Sequence, residues 1–152
     1  MEGPWGSPPA HEPPSAETRA RLAEVYRRVD AALAPVAAAT CRACGKCCRF
    51  EPGGIILFAS ALELAYLVAE TSRPSLQHSA GDQDSWRCPY QQGDLCTARG
   101  ARLLGCRTYF CDAEAREVGE GAYAEALREI QRIAEGQGPW WYGPARLYFE
   151  CV

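Results

Sequence analysis

Nine cysteines in a chain of 152 residues constrain this sequence more than any other feature. The first group reads Cys41-Arg-Ala-Cys44-Gly-Lys-Cys47-Cys48, two C-x-x-C steps in series that share Cys44. The second group has wider spacings. Together the two groups supply eight candidate metal ligands: Cys41, Cys44, Cys47, Cys48, Cys88, Cys96, Cys106 and Cys111. The ninth cysteine, Cys151, lies next to the last residue, where chains fray, and we expect it not to be a ligand.

The choice between disulfides and metal ligation depends on the cellular compartment. Residues 1–14 lack the basic and apolar regions of a secretory signal. No apolar run reaches the roughly 20 residues that a membrane span needs. We therefore predict a cytoplasmic protein without membrane association, in which thiols stay reduced and bind metal.

Clustered cysteines of this kind suit an iron–sulfur cluster or Zn²⁺. A thioredoxin-like redox pair is disfavoured, because no βαβ pattern surrounds the motif and six more candidate ligands follow its first pair. Basic residues interleave with the cysteines and would offset the negative charge of thiolates: Arg42, Lys46, Arg49, Arg87, Arg99, Arg102 and Arg107. This cationic setting, with nearby aromatic residues, favours iron–sulfur slightly over zinc. The adjacency of Cys47 and Cys48 predicts diverging side chains that serve two different sites.

Length and charge limit the remaining possibilities. The net charge of -3 and the pI of about 5.4 give no support to nucleic-acid binding. The length predicts one domain. Residues 1–14 contain five prolines and are predicted to be a disordered lead-in. Residues 15–152 are predicted to form a single cysteine-cluster domain, with ligand motifs at 41–48 and 88–111.

The predicted fold is mainly α: a small, irregular, metal-stapled domain with about three helices and short strand or loop segments. Ser15 is a candidate N-cap for a first helix, which Pro35 bends or ends. Ser60 and Glu63 form a capping box for a second helix, from Ala61 to about Glu70. Residues 55–57 are a candidate buried strand, and a third helix is predicted over roughly residues 122–135. The apolar face of the first helix consists of Leu22, Val25, Tyr26, Val29 and Leu33.

Two further features have alternative interpretations. His78 lies in a polar segment, residues 72–84, and a lone histidine there is more often solvated than a metal ligand. Trp140-Trp141-Tyr142 is either part of a C-terminal strand or arm that packs over the core, which we favour, or a surface for a partner.

The cysteine pattern resembles the YkgJ-type cysteine cluster family, described as a zinc- or iron-chelating domain. The resemblance rests on Cys41-Arg-Ala-Cys44-Gly-Lys-Cys47-Cys48 and on Cys88-Pro-Tyr, Cys96 and Cys106-Arg-Thr-Tyr-Phe-Cys111. The family often has Arg-Pro two residues before the cysteine that opens its last pair, where Leu103-Leu104-Gly105 precedes Cys106 in this chain. The resemblance implies metal binding, and some relatives are flagellin lysine N-methylases that carry an iron–sulfur cluster.

Three functions remain open from the sequence. The first is a metal-binding protein with an electron-transfer or accessory role. The second is an iron–sulfur-dependent methyltransferase or oxidoreductase that acts with a protein partner, although no glycine-rich nucleotide motif follows a strand. The third is a zinc-stapled interaction scaffold. The sequence does not decide whether the chain is an enzyme.

Overall fold

The structure is a computed structural model, and it describes residues 3–9, 12–41, 46–50, 56–71 and 86–150. Most of this backbone is helical, which confirms the prediction of a mainly α protein. The helices of the described residues are α1 (Ala16–Thr40), α2 (Ala61–Glu70), α3 (Leu104–Thr108), α4 (Ala113–Ala134) and α5 (Ala145–Glu150). The predicted number of about three is too low because α3 and α5 are too short to show a helical repeat in the sequence.

Short strands form a local hairpin and also join parts of the chain that are distant in sequence. They are β1 (Arg49–Phe50), β2 (Phe58–Ser60), β3 (Trp86–Arg87), β4 (Gln91–Gln92), β5 (Leu95–Cys96) and β6 (Tyr142–Pro144). They form three antiparallel pairs: β1 with β3, β2 with β6, and β4 with β5. The helices therefore provide most of the core, and the strands position the segments between them.

Helix α1 begins as predicted. The Ser15 side chain accepts a hydrogen bond from the amide of Thr18 at 3.2 Å. All five apolar residues assigned to its inner face are buried. Pro35 lies inside the helix and does not end it. In the last turn of the helix, Thr40 Oγ1 donates to the carbonyl of Val36 at 2.8 Å.

The capping box predicted for α2 is present, with Ser60 and Glu63 bonded in both directions. The strand predicted at residues 55–57 is wrong for its described part. Ile56 is 67% exposed, and the strand begins at Phe58. Pairing with β6 determines this boundary, since Phe58 is the first residue that faces a partner strand.

Helix α4 begins about ten residues before the predicted start. The Asp112 side chain accepts from the amide of Ala115 at 2.9 Å and caps the helix. Buried residues on its inner face pack against the core, and α1 and α3 are its main neighbours. Gly119 allows the closest of these contacts. A Cβ at this position would lie 1.9 Å from the carbonyl oxygen of Thr108 in α3.

The C-terminal residues pack over the core, as the favoured interpretation predicted. Trp141, Tyr148 and Phe149 are buried, while Trp140 is 39% exposed. Helix α5, which was not predicted, forms after β6 and buries these aromatic side chains. Among the described residues, no helix combines the length and the hydrophobicity needed to cross a bilayer.

Candidate metal centre

A short 3-10 turn, Lys46–Cys48, carries the two adjacent cysteines of the first group. Strand β1 follows directly and pairs with β3, so that Arg49 faces Arg87 and Phe50 faces Trp86. The amide of Cys88 then donates to the carbonyl of Cys48 at 2.8 Å. This backbone bond places the start of the second cysteine group beside the end of the first.

A hairpin brings Cys96 back towards Cys88. The amide of Gln91 donates to the carbonyl of Cys88 at 3.0 Å, which closes a turn. Strands β4 and β5 then pair with Gln91 opposite Cys96. Thr97 stabilises the base of the hairpin, because its amide donates to the Tyr90 carbonyl at 2.8 Å and its hydroxyl donates to the same oxygen at 2.7 Å.

Cys106 lies in α3, and a buried carboxylate holds that helix in place. Glu63 Oε1 accepts from the amide of Leu104 at 2.9 Å and from the hydroxyl of Tyr26 at 3.3 Å. Glu63 Oε2 accepts from the amide and the hydroxyl of Ser60, both at 2.9 Å. Burial raises the pKa of Glu63, and the hydrogen bonds from Ser60 and Leu104 offset part of that rise.

Charge interactions link five thiols, because other members of the group raise the pKa values of Cys48, Cys88 and Cys106. Burial raises the pKa of Cys106 strongly, and the thiols of Cys88, Cys47 and Cys96 raise it further. Burial likewise raises the pKa of Cys88 to about 11, with added effects of Cys96 and Cys47. Cys48 is affected by Cys47, Cys88 and Cys106. The structure thus brings together Cys47, Cys48, Cys88, Cys96 and Cys106, which come from three separate segments.

Cys47 and Cys48 form a hydrogen-bonded pair, so their side chains do not diverge as predicted. The bond from Cys48 lowers the pKa of Cys47 to about 6, and the nearby cations Arg102 and Arg99 lower it further. The same bond, with burial, raises the pKa of Cys48 well above that of a free thiol. The hydrogen bond therefore favours ionisation of Cys47 over ionisation of Cys48.

Arg107 fixes the backbone that presents the two cations. Its guanidinium forms an ion pair with Asp30, and its side chain is only 2% exposed. Nε donates to the Arg102 carbonyl and Nη2 to the Gly100 carbonyl, each at 2.8 Å. The guanidinium also lies over the Tyr26 ring, 4.2 Å from its centroid. Arg107 thus has a structural role, whereas Arg99 and Arg102 supply charge near Cys47.

The remaining candidate ligands lie elsewhere or outside the described residues. Cys41 is exposed at the C-terminal end of α1, where its amide donates to the Ala37 carbonyl at 2.9 Å. Cys111 is exposed just before α4. Cys44, His78 and Cys151 are outside the described residues. The seven described cysteines are all free thiols.

Five thiols with neighbouring guanidinium groups are a donor set that fits a soft metal such as Zn²⁺ or iron. In this structure the five thiols are not arranged as a coordination sphere. Across the parts of the chain that the structure describes, no three Cys, His, Asp or Glu side chains are arranged to hold one metal ion. Comparisons of the chain with known protein families, with curated proteins and with solved structures give no match.

Sequence reasoning identified Glu63 as a cap and missed its other contacts. The signal for the cap was local, a serine three residues before a glutamate. The contacts with Tyr26 and Leu104 join residues 37 and 41 positions apart. Such distant partners have no signature in a single sequence, so this buried network could not be predicted.

Proposed function

We propose that this chain is a metal-binding protein whose cysteines hold an iron–sulfur cluster, zinc or both. The observation that supports it is the gathering of five thiols from the 3-10 turn, the β4–β5 segment and α3. Cys41, Cys44 and Cys111 belong to the same motifs and complete the proposed set of eight ligands. The resemblance to YkgJ-type cysteine cluster proteins rests on the same residues.

The electrostatic interactions among the grouped thiols support the binding of a metal cation between them. Burial raises the pKa values of Cys88 and Cys106, and neighbouring thiols raise them further. A bound metal cation reverses this effect and stabilises several thiolates together. Metal binding at this site is then expected to release protons, and its affinity is expected to rise with pH.

The surroundings favour an iron–sulfur cluster slightly over zinc. Arg99 and Arg102 place positive charge near Cys47. Tyr90 and Phe110, which neighbour ligand cysteines in sequence, are 4% and 5% exposed. Positive charge favours the reduced, more negative form of a cluster and raises its potential, and the two buried rings shield the site from water. In this proposal the domain is stapled by its metal, resides in a reducing cytoplasm, and transfers electrons or assists a partner protein.

A zinc-stapled interaction scaffold is the second candidate, and one observation favours it. Trp140 is 39% exposed and stacks on Tyr142, with ring centroids 6.4 Å apart and planes 5° from parallel. A stacked aromatic pair with one exposed ring is typical of surfaces that bind other proteins.

Elemental analysis of anaerobically purified protein tests the proposal. We expect iron with acid-labile sulfide, and a brown colour, or else stoichiometric zinc in a colourless protein. The Cys106→Ser variant, which lacks one of the five grouped thiols, should contain less metal than the wild type. A wild-type chain that contains neither metal, and takes up neither on reconstitution under reducing conditions, would contradict the proposal.

A further inference from the structure

The β2–β6 sheet carries a group of aromatic side chains at its edge, which we call the aromatic platform: Phe58, Trp140, Trp141 and Tyr142. The rings of Phe58 and Tyr142 are 5.5 Å apart, and Tyr142 also stacks on Trp140. The Trp141 ring is fixed against the sheet, because a Cβ at Gly143 would lie 2.7 Å from it. The platform is therefore a preformed surface that offers aromatic rings for packing and the indole N–H of Trp141 as a hydrogen-bond donor.

The N-terminal segment of the same chain is seated on this platform. The Trp5 ring meets Phe58 edge-on, with centroids 5.0 Å apart and planes at 80°. The Trp141 indole Nε1 donates to the Trp5 carbonyl at 3.0 Å. A turn presents Trp5, since the Gly6 amide donates to the Gly3 carbonyl at 3.1 Å and Gly6 has a φ of 64°.

These two contacts have the chemistry by which aromatic grooves recognise proline-rich peptides. In that mode rings pack against the peptide and a side-chain donor binds one of its carbonyls. Here Trp5 takes the place of a proline against the ring, and the segment is turned at residues 3–6 rather than extended. The seated segment, Gly3-Pro4-Trp5-Gly6-Ser7-Pro8-Pro9, has no charged residue and three prolines. The composition of the bound segment thus indicates the kind of peptide that the platform binds.

The segment makes few enough contacts with the platform to dissociate from it. Trp5 remains 45% exposed on the platform. Its covalent attachment compensates for the few contacts, because a short tether gives an effective concentration on the order of millimolar. A partner peptide with more contacts, such as additional packing on the exposed Trp140, can replace it.

We propose that the aromatic platform is a docking site for a proline-rich, tryptophan-containing segment of a partner protein, and that residues 3–9 occupy it in cis. The chain's own segment then acts as an internal competitor that limits access to the site. This inference is independent of the metal centre, because neither contact involves a cysteine.

Fluorescence anisotropy with a labelled peptide of the sequence of residues 3–9 tests the proposal on the full chain. The Trp5→Ala variant should bind the peptide about tenfold or more tightly than the wild type, because its own segment no longer competes. Adding Trp141→Phe, which keeps a ring but removes the indole donor, should weaken that binding severalfold. A peptide with alanine in place of tryptophan is the control and should not bind.

Equal affinities of the wild type and the Trp5→Ala variant, or no binding to either, would overturn the proposal. Sedimentation provides a second measurement. A wild-type dimer that dissociates in the Trp5→Ala variant would assign the platform to a second copy of the chain and would also overturn it. A wild type and a variant that are both monomeric, together with the expected difference in affinity, would support docking in cis.

Discussion

The carboxylate of Glu63 accepts a hydrogen bond from the backbone amide of Leu104, 2.9 Å away and 41 residues further along the chain. Glu63 caps its own helix, α2, and also binds the first amide of α3, which has no side-chain cap of its own. Because Cys106 lies one turn into α3, this contact links the core to the candidate metal centre.

Replacing this carboxylate should be costly. Glu63→Ala leaves the amides of Ser60 and Leu104 and the Tyr26 hydroxyl without their acceptor in a buried site. We expect the free energy of unfolding to fall by about 3–5 kcal/mol. Glu70→Ala, on the same helix, is the control. It removes an exposed ion pair with Arg19 and should cost less than about 1 kcal/mol. Urea denaturation of both variants measures the difference, and equal losses would contradict the role of Glu63.

The raised pKa of Glu63 predicts a pH dependence of stability. Since the native state binds this proton more tightly than the unfolded state, Glu63 contributes most to stability below its unfolded pKa of about 4.5. That contribution is lost as the pH rises through the higher, native pKa. The free energy of unfolding of the wild type, minus that of Glu63→Gln, should therefore decrease with rising pH above about 4.5. A difference that increases with pH would mean that the native pKa of Glu63 is lowered.

Two glycines in α4 provide a matched test of helix packing. Gly119→Ala would place a methyl group 1.9 Å from the carbonyl oxygen of Thr108, so α3 and α4 must separate. We expect a loss of about 2–4 kcal/mol in the free energy of unfolding. Gly121→Ala meets nothing within 4 Å and should gain up to about 1 kcal/mol from helix propensity. Thermal unfolding of the two variants decides, and similar midpoints would contradict the close contact.

The sequence predicted the parts of the fold that have local signals. The cap at Ser15, the buried face of α1 and the capping box of α2 each depend on residues within a few turns of one another. The predictions from the sequence were wrong where tertiary contacts determine the ends of the helices. Pro35 stays within α1, and Asp112 starts α4 at a stretch whose acidic and glycine residues conceal the helical pattern.

The sequence predicted which residues belong to the candidate site, but only part of how they are arranged. Spacing identified the cysteines, but the gathering of Cys96 and Cys106 depends on the β4–β5 hairpin and on the position of α3. The side chains of Cys47 and Cys48 were predicted to diverge, but they form a hydrogen-bonded pair, and their assignment to two different metal sites stays a prediction. Adjacent residues usually diverge in extended backbone, whereas these two lie in a 3-10 turn.

Single cysteine substitutions separate ligands from bystanders. Cys106→Ser removes a thiol that interacts with four others and should lose at least one site's worth of metal. Cys151→Ser, the control, should retain the full metal content because this residue lies outside both motifs. Metal content per chain, measured on proteins purified in parallel, gives the answer. Loss of metal in the Cys151→Ser protein would require a different ligand set.

X-ray absorption at the edge of the bound metal tests the central claim most directly, because it reports the ligand atoms themselves. For zinc, we expect a first shell of about four sulfur atoms at about 2.3 Å. For iron, we expect a sulfur shell together with a short iron–iron distance, as in a cluster ligated by cysteine. A first shell made of nitrogen and oxygen atoms would contradict thiolate ligation and with it the proposed function.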